Sequence, residues 1–218
     1  LTLLVYQGAF WIYRRAGFHP LLNPVALSIL MLVALLRLTG TPYETYFGGA
    51  QFVHFLLGPA TVALAVPLYA QLGKLKHALW PICAALLAGA VTALISAVGI
   101  AWALGASDLT LLSIAPKSVT TPIAMGIVER LGGLPSLTAV LVVSTGIIGA
   151  IGGKYVLDAL RITDHGVRGF ALGTAAHGIG TARAFQESEE AGAFSGLAMG
   201  LCGLATAVLF PLGVWLVR

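Results

Sequence analysis

The stretch Pro116-Lys117-Ser118-Val119-Thr120-Thr121-Pro122 is a polar island inside an otherwise apolar sequence, and it decides how the chain folds. Each proline lacks a backbone N–H and clashes with the preceding turn, so we expect no continuous helix through it. In lipid, broken backbone is tolerated only where it is buried in protein or lines a wet cavity, and an intramembrane lysine is rare. We therefore interpret the polar island as half of a binding site. The alternative is a loop outside the membrane that carries an ordinary surface lysine.

The composition of the whole chain indicates a membrane protein. Of 218 residues, 58% are hydrophobic and 9% are charged, and the mean hydropathy is +0.95. Soluble domains are roughly half apolar and a quarter charged. Apolar runs of about 20 residues fill the chain, so we expect an all-α, polytopic membrane protein with a single transmembrane domain over residues 1–218.

The ionisable groups are few, and they exclude several classes of function. The formal charge of +4 is spread over short loops, so it reports membrane topology and gives no support to a nucleic-acid partner. Cys83 and Cys202 lie in apolar runs far apart in sequence, where a free thiol behaves as a small hydrophobe. We expect no disulfide, no metal site and no cofactor.

The loop charges predict how the crossings are oriented. About seven transmembrane helices can be drawn, at 1–13, 21–38, 52–72, 79–104, 134–157, 170–185 and 194–217. Short cytoplasmic loops collect Lys and Arg, which places loops 14–19, 73–77 and 159–168 inside and the acidic turn 186–190 outside. The polar island must then enter and leave on one side of the membrane.

This topology makes the polar island a re-entrant segment. It spans about 108–131, with one half-helix over 109–115, another over 123–131, and Lys117 near the tip.

A weak internal repeat accompanies this topology. Phe55-Leu56-Leu57-Gly58-Pro59-Ala60-Thr61 resembles Phe170-Ala171-Leu172-Gly173-Thr174-Ala175-Ala176. The repeats, about 21–104 and 134–217, run in opposite directions if the polar island is re-entrant and in parallel if it crosses once. Inverted repeats with interrupted helices are typical of secondary transporters, which bind substrate near the midplane.

A glycine-rich stretch supplies the second half of the predicted site. Gly173, Gly178 and Gly180 permit close backbone approach, and each Gly in a helix costs about 1 kcal/mol against Ala, which favours unwinding. The alternative is tight packing of helices through small residues. His177 and Arg183 are the ionisable groups of this stretch.

These residues favour a small anion. An Arg fork, a Lys and the N-termini of broken helices all suit a carboxylate. The candidate substrate-binding residues are Asn23, Lys117, Ser118, Thr120, Thr121, His177, Gly178, Gly180, Thr181 and Arg183. Two of them have simpler interpretations, because Asn23 directly precedes Pro24 and suits a helix cap, and Arg183 lies near a segment end from which it can reach the headgroups.

His177 has two interpretations that the sequence leaves open. An imidazole changes charge near neutral pH, so it can carry a coupling proton when an anion binds beside it. Alternatively it is a neutral structural histidine that donates to a carbonyl freed by the broken helix.

Catalytic motifs fit the chain poorly. Gly178-Ile179-Gly180 is a fragment of a dinucleotide fingerprint without a preceding strand, and Gly192-Ala193-Phe194-Ser195-Gly196 misses the nucleophile-elbow spacing by one residue. We expect no enzyme.

The motifs at Pro116–Met125 and Gly173–Arg183 resemble the LrgB/CidB family of antiholin-like, murein-hydrolase-regulator membrane proteins. The chain is also similar to the LrgB-like half of the plastid glycolate/glycerate translocator. Further matches are Leu21-Leu22-Asn23-Pro24, Pro67-Leu68-Tyr69 and Gly192-Ala193-Phe194-Ser195. The resemblance implies a multi-pass protein of the bacterial inner membrane, or of the plastid envelope, that acts with a smaller LrgA-like membrane partner.

The sequence thus predicts a secondary transporter of small monocarboxylates, 2-hydroxy or 2-oxo acids like glycolate, glycerate and pyruvate. Lys117 and Arg183 are its charge partners for the anion, and Ser118, Thr120 and Thr121 are its hydrogen-bond donors. The rival is a holin- or antiholin-like regulator of murein hydrolases that acts by oligomerisation and has no substrate site. Homo-oligomerisation is open under either interpretation.

Overall fold

The computed structural model describes residues 1–56, 59, 62, 63 and 65–217. Within this part of the chain the secondary structure is helical, without strands, as the sequence predicts. The chain folds into two compact units, one over Leu1–Val66 and a second that begins at Pro67.

The first unit contains the helices α1 (Thr2–Arg15), α2 (Pro24–Thr39) and α3 (Tyr43–Phe55). Helix α2 begins at Pro24, because proline has no N–H to satisfy at a helix start. The hydroxyls of Thr2 and Tyr46 are 2.8 Å apart and connect α1 to α3. At 16 residues α2 is apolar but short for a membrane crossing.

The second unit is built on three long helices. The chain continues through the helices α4 (Ala65–Ala70), α5 (Leu72–His77), α6 (Leu79–Ala103), α7 (Asp108–Ile114), α8 (Thr121–Leu131), α9 (Pro135–Ala159), α10 (His165–Glu187) and α11 (Glu189–Val217). Within the described residues, α6, α9 and α11 are long and apolar enough to cross a membrane. Large apolar side chains on them are exposed, among them Trp80, Trp102 and Trp215, as suits contact with lipid.

The predicted number of about seven crossings is not confirmed in the described residues. The predicted crossings 79–104 and 134–157 correspond closely to α6 and α9. The predicted crossing 52–72 includes residues 57, 58, 60, 61 and 64, which lie outside the described part.

Residues 108–131, hairpin 1, fold back on themselves, and Ser113 lies beside Leu134. The Oγ atom of Ser113, in the entering arm, accepts a hydrogen bond at 3.0 Å from the N–H of Leu134, just beyond the leaving arm. Deeper in the hairpin, Ala115 and Ile127 are buried together against Phe210. The chain therefore leaves hairpin 1 at the end of the unit where it entered.

Residues 165–187, hairpin 2, also fold back, which the sequence pattern does not predict. The Nε atom of Arg168 donates to Glu187 Oε2 at 3.0 Å, although a straight helix would separate residues 19 apart by about 28 Å. Leu172 and Ala184 lie in one buried cluster. The backbone breaks at Ala176 and His177, which divide the hairpin into a first arm, 165–176, and a second arm, 178–187.

Hairpin 2 overturns one topological prediction. The loop charges predict that the acidic turn 186–190 lies across the membrane from loops 73–77 and 159–168. Instead Glu190 is ion-paired with Lys74 at 2.6 Å, and Glu187 shares Arg168 with Asp158. The predicted crossing at 170–185 is also wrong, because the chain turns back at His177 and brings Glu187 to Arg168. The acidic turn lies beside the basic loops because opposite charges attract each other at the base of the hairpin.

The two hairpins enter the second unit from opposite ends. Ser113 Oγ lies beside Leu134, where α9 begins, whereas Leu157, near the end of α9, packs with Leu172 and Ala184 of hairpin 2. We refer to these as the Leu134 end and the Glu190 end. Helices α6 and α9 each contain 25 residues, and each is followed by a hairpin. Because the two hairpins enter from opposite ends, the segments 79–131 and 135–187 are similar in organisation and opposite in direction. The predicted repeat of 21–104 and 134–217 is a different pairing and stays a prediction, because its motif at 55–61 extends outside the described residues.

Candidate functional site

The tip of hairpin 1 places a cationic side chain in the interior of the second unit. Ser118 is buried, and Lys117 is half-buried with its Nζ atom 3.4 Å from the Ser118 hydroxyl. Val119 is 1% exposed and packs with Val142 of α9 and Cys202 of α11. The tip of the polar island is therefore packed inside the second unit, and its re-entry into the membrane stays a prediction.

Helix α8 begins at this tip, as the two-proline pattern predicts. Thr120 occupies the N-cap position with extended backbone, but its side chain makes no capping hydrogen bond, and Thr121 is the first helical residue. The first backbone N–H groups of a helix have no partner within it and carry positive partial charge. Lys117 and the start of α8 thus give the tip two sources of positive potential.

The tip of hairpin 2 has an unusual backbone at His177. The residue has φ +41° and ψ −134°, a conformation that an L residue with a side chain rarely adopts and that costs of order 1–3 kcal/mol. Its carbonyl accepts a hydrogen bond from the Thr181 hydroxyl at 2.9 Å, and Thr181 also contacts the Ser195 hydroxyl of α11 at 3.0 Å. Thr181, a predicted substrate ligand, is here a support of the hairpin tip.

The imidazole of His177 reaches across to α9. Its Nε2 atom is 2.9 Å from the carbonyl oxygen of Val142, and the residue is 4% exposed. The ring fits against Gly146, where an added Cβ would lie 2.7 Å from Cε1 and 2.9 Å from Nε2. Only a glycine at position 146 leaves room for the ring in this position.

The two tips meet at Val142. On one side of this residue lies Val119 of hairpin 1, and on the other its carbonyl holds the ring of His177. Lys117 lies two residues before Val119, at the same hairpin tip. Two broken helices that enter from opposite ends therefore bring a lysine, a histidine and a helix N-terminus into one region of the interior.

The predicted glycines divide between packing and exposure. A Cβ at Gly173 would overlap the Ser195 carbonyl, and one at Gly180 would lie 2.5 Å from the carbonyl oxygen of Leu172. Both therefore permit close helix contact, which is the packing alternative. Gly178 is exposed beside His177, and a Cβ added to it would have only the Met199 sulfur within 4 Å, so its role as a substrate contact stays a prediction.

Two other predicted site residues have local hydrogen-bond partners in the structure. The guanidinium of Arg183 donates to Gln186 Oε1 at 3.0 Å, on the turn that leads to the base of hairpin 2, about 9 Å of helix rise from His177. Asn23, in the first unit, accepts hydrogen bonds from the N–H groups of Val25 and Ala26 and caps α2. The convergence of Lys117 and Arg183 on one anion stays a prediction, as does a site role for Asn23.

Sequence reasoning missed the residue that closes the base of hairpin 2. Arg168 is 8% exposed and bonds Glu187 of the second arm, Asp158 of α9 and the carbonyl of Ile162. In the sequence it is only one cation of a charged loop. The sequence does contain a clue to this contact. Asp158 lies before Arg168 and Glu187 lies after it, so two carboxylates are available to one arginine.

A cavity of about 620 Å³ runs beside the first arm of hairpin 2. Charged residues lie at its outer part, Lys74, Asp164 and Glu190. Its lining also includes Thr174 and Ala175, next to the tip. Hairpin 2 is therefore bordered by open space on the side facing α6.

Comparisons with known proteins identify the family of the chain. The model of the LrgB-like family matches residues 2–216. The chain belongs to the LrgB-like family. It is 40% identical over 216 residues to the uncharacterized protein YxaC of Bacillus subtilis, with 99% of this chain and 94% of the relative covered. To the uncharacterized protein YwbG of the same organism it is 39% identical, with 97% and 93% covered.

A further relative carries a functional name. The antiholin-like protein LrgB of Bacillus cereus is 30% identical over 212 residues, with 97% of this chain and 92% of the relative covered. No solved structure matches the chain. The resemblance drawn from the two central motifs is confirmed, and both hairpin tips of this LrgB-like protein fall within those motifs.

Proposed function

We propose that this LrgB-like protein is a secondary transporter of small monocarboxylates, 2-hydroxy or 2-oxo acids of the glycolate, glycerate and pyruvate kind. The observation that carries the proposal is the meeting of two broken hairpins from opposite ends at Val142, with Lys117 at the tip of one and His177 at the tip of the other. Interrupted helices that meet in the interior are how many secondary transporters build a substrate site.

The chemistry of the tips favours an anion with one carboxylate. A cation inside a membrane protein is costly unless it is paired or hydrated, and Lys117 donates there to a neutral hydroxyl at 3.4 Å. A substrate carboxylate beside Lys117 and the start of α8 would neutralise that charge. Thr120 and Thr121 lie at the same helix start and can bond the substrate's own hydroxyl or keto group.

The second candidate is an antiholin-like regulator of murein hydrolases. It is favoured by the name of the Bacillus cereus relative, which is 30% identical over nearly the whole chain. Under this candidate the protein acts with a smaller LrgA-like membrane protein, changes membrane permeability by assembly and needs no anion site. Under both candidates it is a multi-pass protein of the bacterial inner membrane, and neither candidate is an enzyme.

Uptake into proteoliposomes separates the two candidates. Purified protein is reconstituted, loaded with unlabelled glycolate, and exchanged against labelled glycolate, glycerate or pyruvate. The transporter predicts saturable exchange that Lys117→Gln reduces at least tenfold, because removing one partner of a charged contact costs about 1.5–3 kcal/mol.

The matched control is Lys154→Gln, which removes an exposed lysine from α9 of the same unit and should leave exchange unchanged. Release of a large trapped dye, with no saturable exchange of any carboxylate, would support the regulator and contradict the transporter.

A further inference from the structure

The contacts of His177 with Thr181, Val142 and Gly146 hold the tip of hairpin 2 in place. The backbone carbonyl is bonded by Thr181, the ring is bonded to the Val142 carbonyl, and the ring edge lies against Gly146. A strained backbone conformation persists only where its surroundings determine it, and these contacts come from both its own hairpin and α9. The geometry is that of a docking contact between hairpin 2 and α9.

The hydrogen bond also determines the tautomer of the ring. A carbonyl oxygen can only accept, so Nε2 of His177 must carry the hydrogen, and the neutral ring has its lone pair on Nδ1. A second proton on Nδ1 would place a positive charge on a side chain that is buried at 4% exposure, which is costly without a compensating partner. Val142 and Gly146 of α9, Thr181 of the second arm and Met199 of α11 are uncharged, so nothing among these neighbours compensates that charge.

We propose that His177 is a positioning residue that docks the tip of hairpin 2 onto α9 and stays neutral, and that it is not the carrier of a coupling proton. Breaking the His177–Val142 contact then frees the tip to lift away from α9 and from the tip of hairpin 1. The statement about the coupling proton rests on the proposed transport function. The docking of the tip onto α9 does not, because it involves no substrate.

The chain contains its own reporter for this movement. Cys202 is 1% exposed and lies between the tips, packed with Val119 and Val142 and with its Sγ atom 3.9 Å from the Thr174 carbonyl of hairpin 2. A thiol reagent can reach it only if the tips separate. Cys83 is exposed, so the measurement uses Cys83→Ser protein, in which Cys202 is the remaining cysteine.

The test is the rate of Cys202 alkylation in purified, substrate-free protein. His177→Leu removes the donor and should speed alkylation about tenfold. Losing a hydrogen bond with a net value of up to about 1.5 kcal/mol raises the ratio of open to closed tips by about that factor. His177→Gln retains an N–H donor and should stay within about threefold of the parent. An unchanged rate in His177→Leu, or equal acceleration in His177→Gln, would overturn the docking role.

A second pair of variants leaves His177 itself intact. Gly146→Ala places a methyl group against the ring and should speed alkylation as His177→Leu does. Gly152→Ala, on the same helix, adds its methyl where nothing lies within 4 Å and should have no effect. Equal rates in the two alanine variants would contradict the proposal even if His177→Leu folds poorly.

The protonation state is tested by pH. The ratio of alkylation rates in His177→Gln and the parent cancels the thiolate fraction of Cys202 and should be constant between about pH 5.5 and 8, where an ordinary histidine titrates. A ratio that changes with the uptake of one proton would overturn the neutral assignment. Because no substrate is present, a failure of carboxylate transport leaves all of these outcomes unaffected.

Discussion

Hairpins 1 and 2 reach the same region of the interior by different means. Hairpin 1 is broken by Pro116 and Pro122, and its tip carries the charge of Lys117. Hairpin 2 has no proline between residues 165 and 187, and its break at His177 is held by contacts to α9 and to its own second arm. The first break is therefore local, whereas the second depends on packing and is the one that a mutation elsewhere can undo.

The bases of the hairpins differ in the same way. At the base of hairpin 1, neutral hydrogen bonds join Ser113 to Leu134 and Thr138. At the base of hairpin 2, the buried Arg168 joins two carboxylates from two elements. We therefore expect removal of a single side-chain group at the base to lower the free energy of unfolding far more in hairpin 2 than in hairpin 1.

The largest expected effect is a complete difference in labelling between the two ends. In Cys83→Ser protein, cysteines introduced at the exposed positions Ser107 and Leu134 should react with an impermeant thiol reagent from one face of oriented membranes. Cysteines at the exposed positions Thr163 and Glu189 should react only from the other face. Labelling of Thr163 and Glu189 from different faces would mean that hairpin 2 is a crossing, and the comparison would fail.

The next effect concerns the two bases. Arg168→Leu leaves Glu187 and Asp158 without their shared cation and should lower the free energy of unfolding by about 3–5 kcal/mol. Thr138→Val removes one neutral donor at the base of hairpin 1 and should cost about 1 kcal/mol. Both are measured by denaturant titration in detergent, and equal losses would show that the ionic base has no special role.

The smallest effect compares one glycine from each hairpin. A Cβ at Gly169 of hairpin 2 would overlap the backbone of Ala191, so Gly169→Ala should cost about 1–3 kcal/mol. Gly126 of hairpin 1 has nothing within 4 Å of a Cβ, so Gly126→Ala should stabilise its helix by about 0.5–1 kcal/mol. The same titration checks both signs, and stabilisation by Gly169→Ala would contradict the close contact between hairpin 2 and α11.

The sequence predicted most of hairpin 1 and only the break of hairpin 2. Proline acts on its own backbone, so the predicted half-helices of hairpin 1 lie within two residues of the observed α7 and α8. The glycines around His177 correctly indicated unwinding, yet they gave no direction for the chain after the break. That direction depends on Arg168 meeting Glu187, a contact between residues 19 apart.

The amino-acid sequence by itself determined the all-helical membrane character, the LrgB-like family, the long helices α6 and α9 and the proline-bounded tip with Lys117, because composition, apolar run length and proline geometry are local properties. Only the tertiary structure decided that hairpin 2 returns to the end it came from and that its tip docks on Val142. It also decided that Gly173 and Gly180 serve helix packing. Each of these features depends on which surfaces pack together in the folded chain. A glycine or a histidine is compatible with many packing contacts, and the neighbouring residues in the fold determine which one forms.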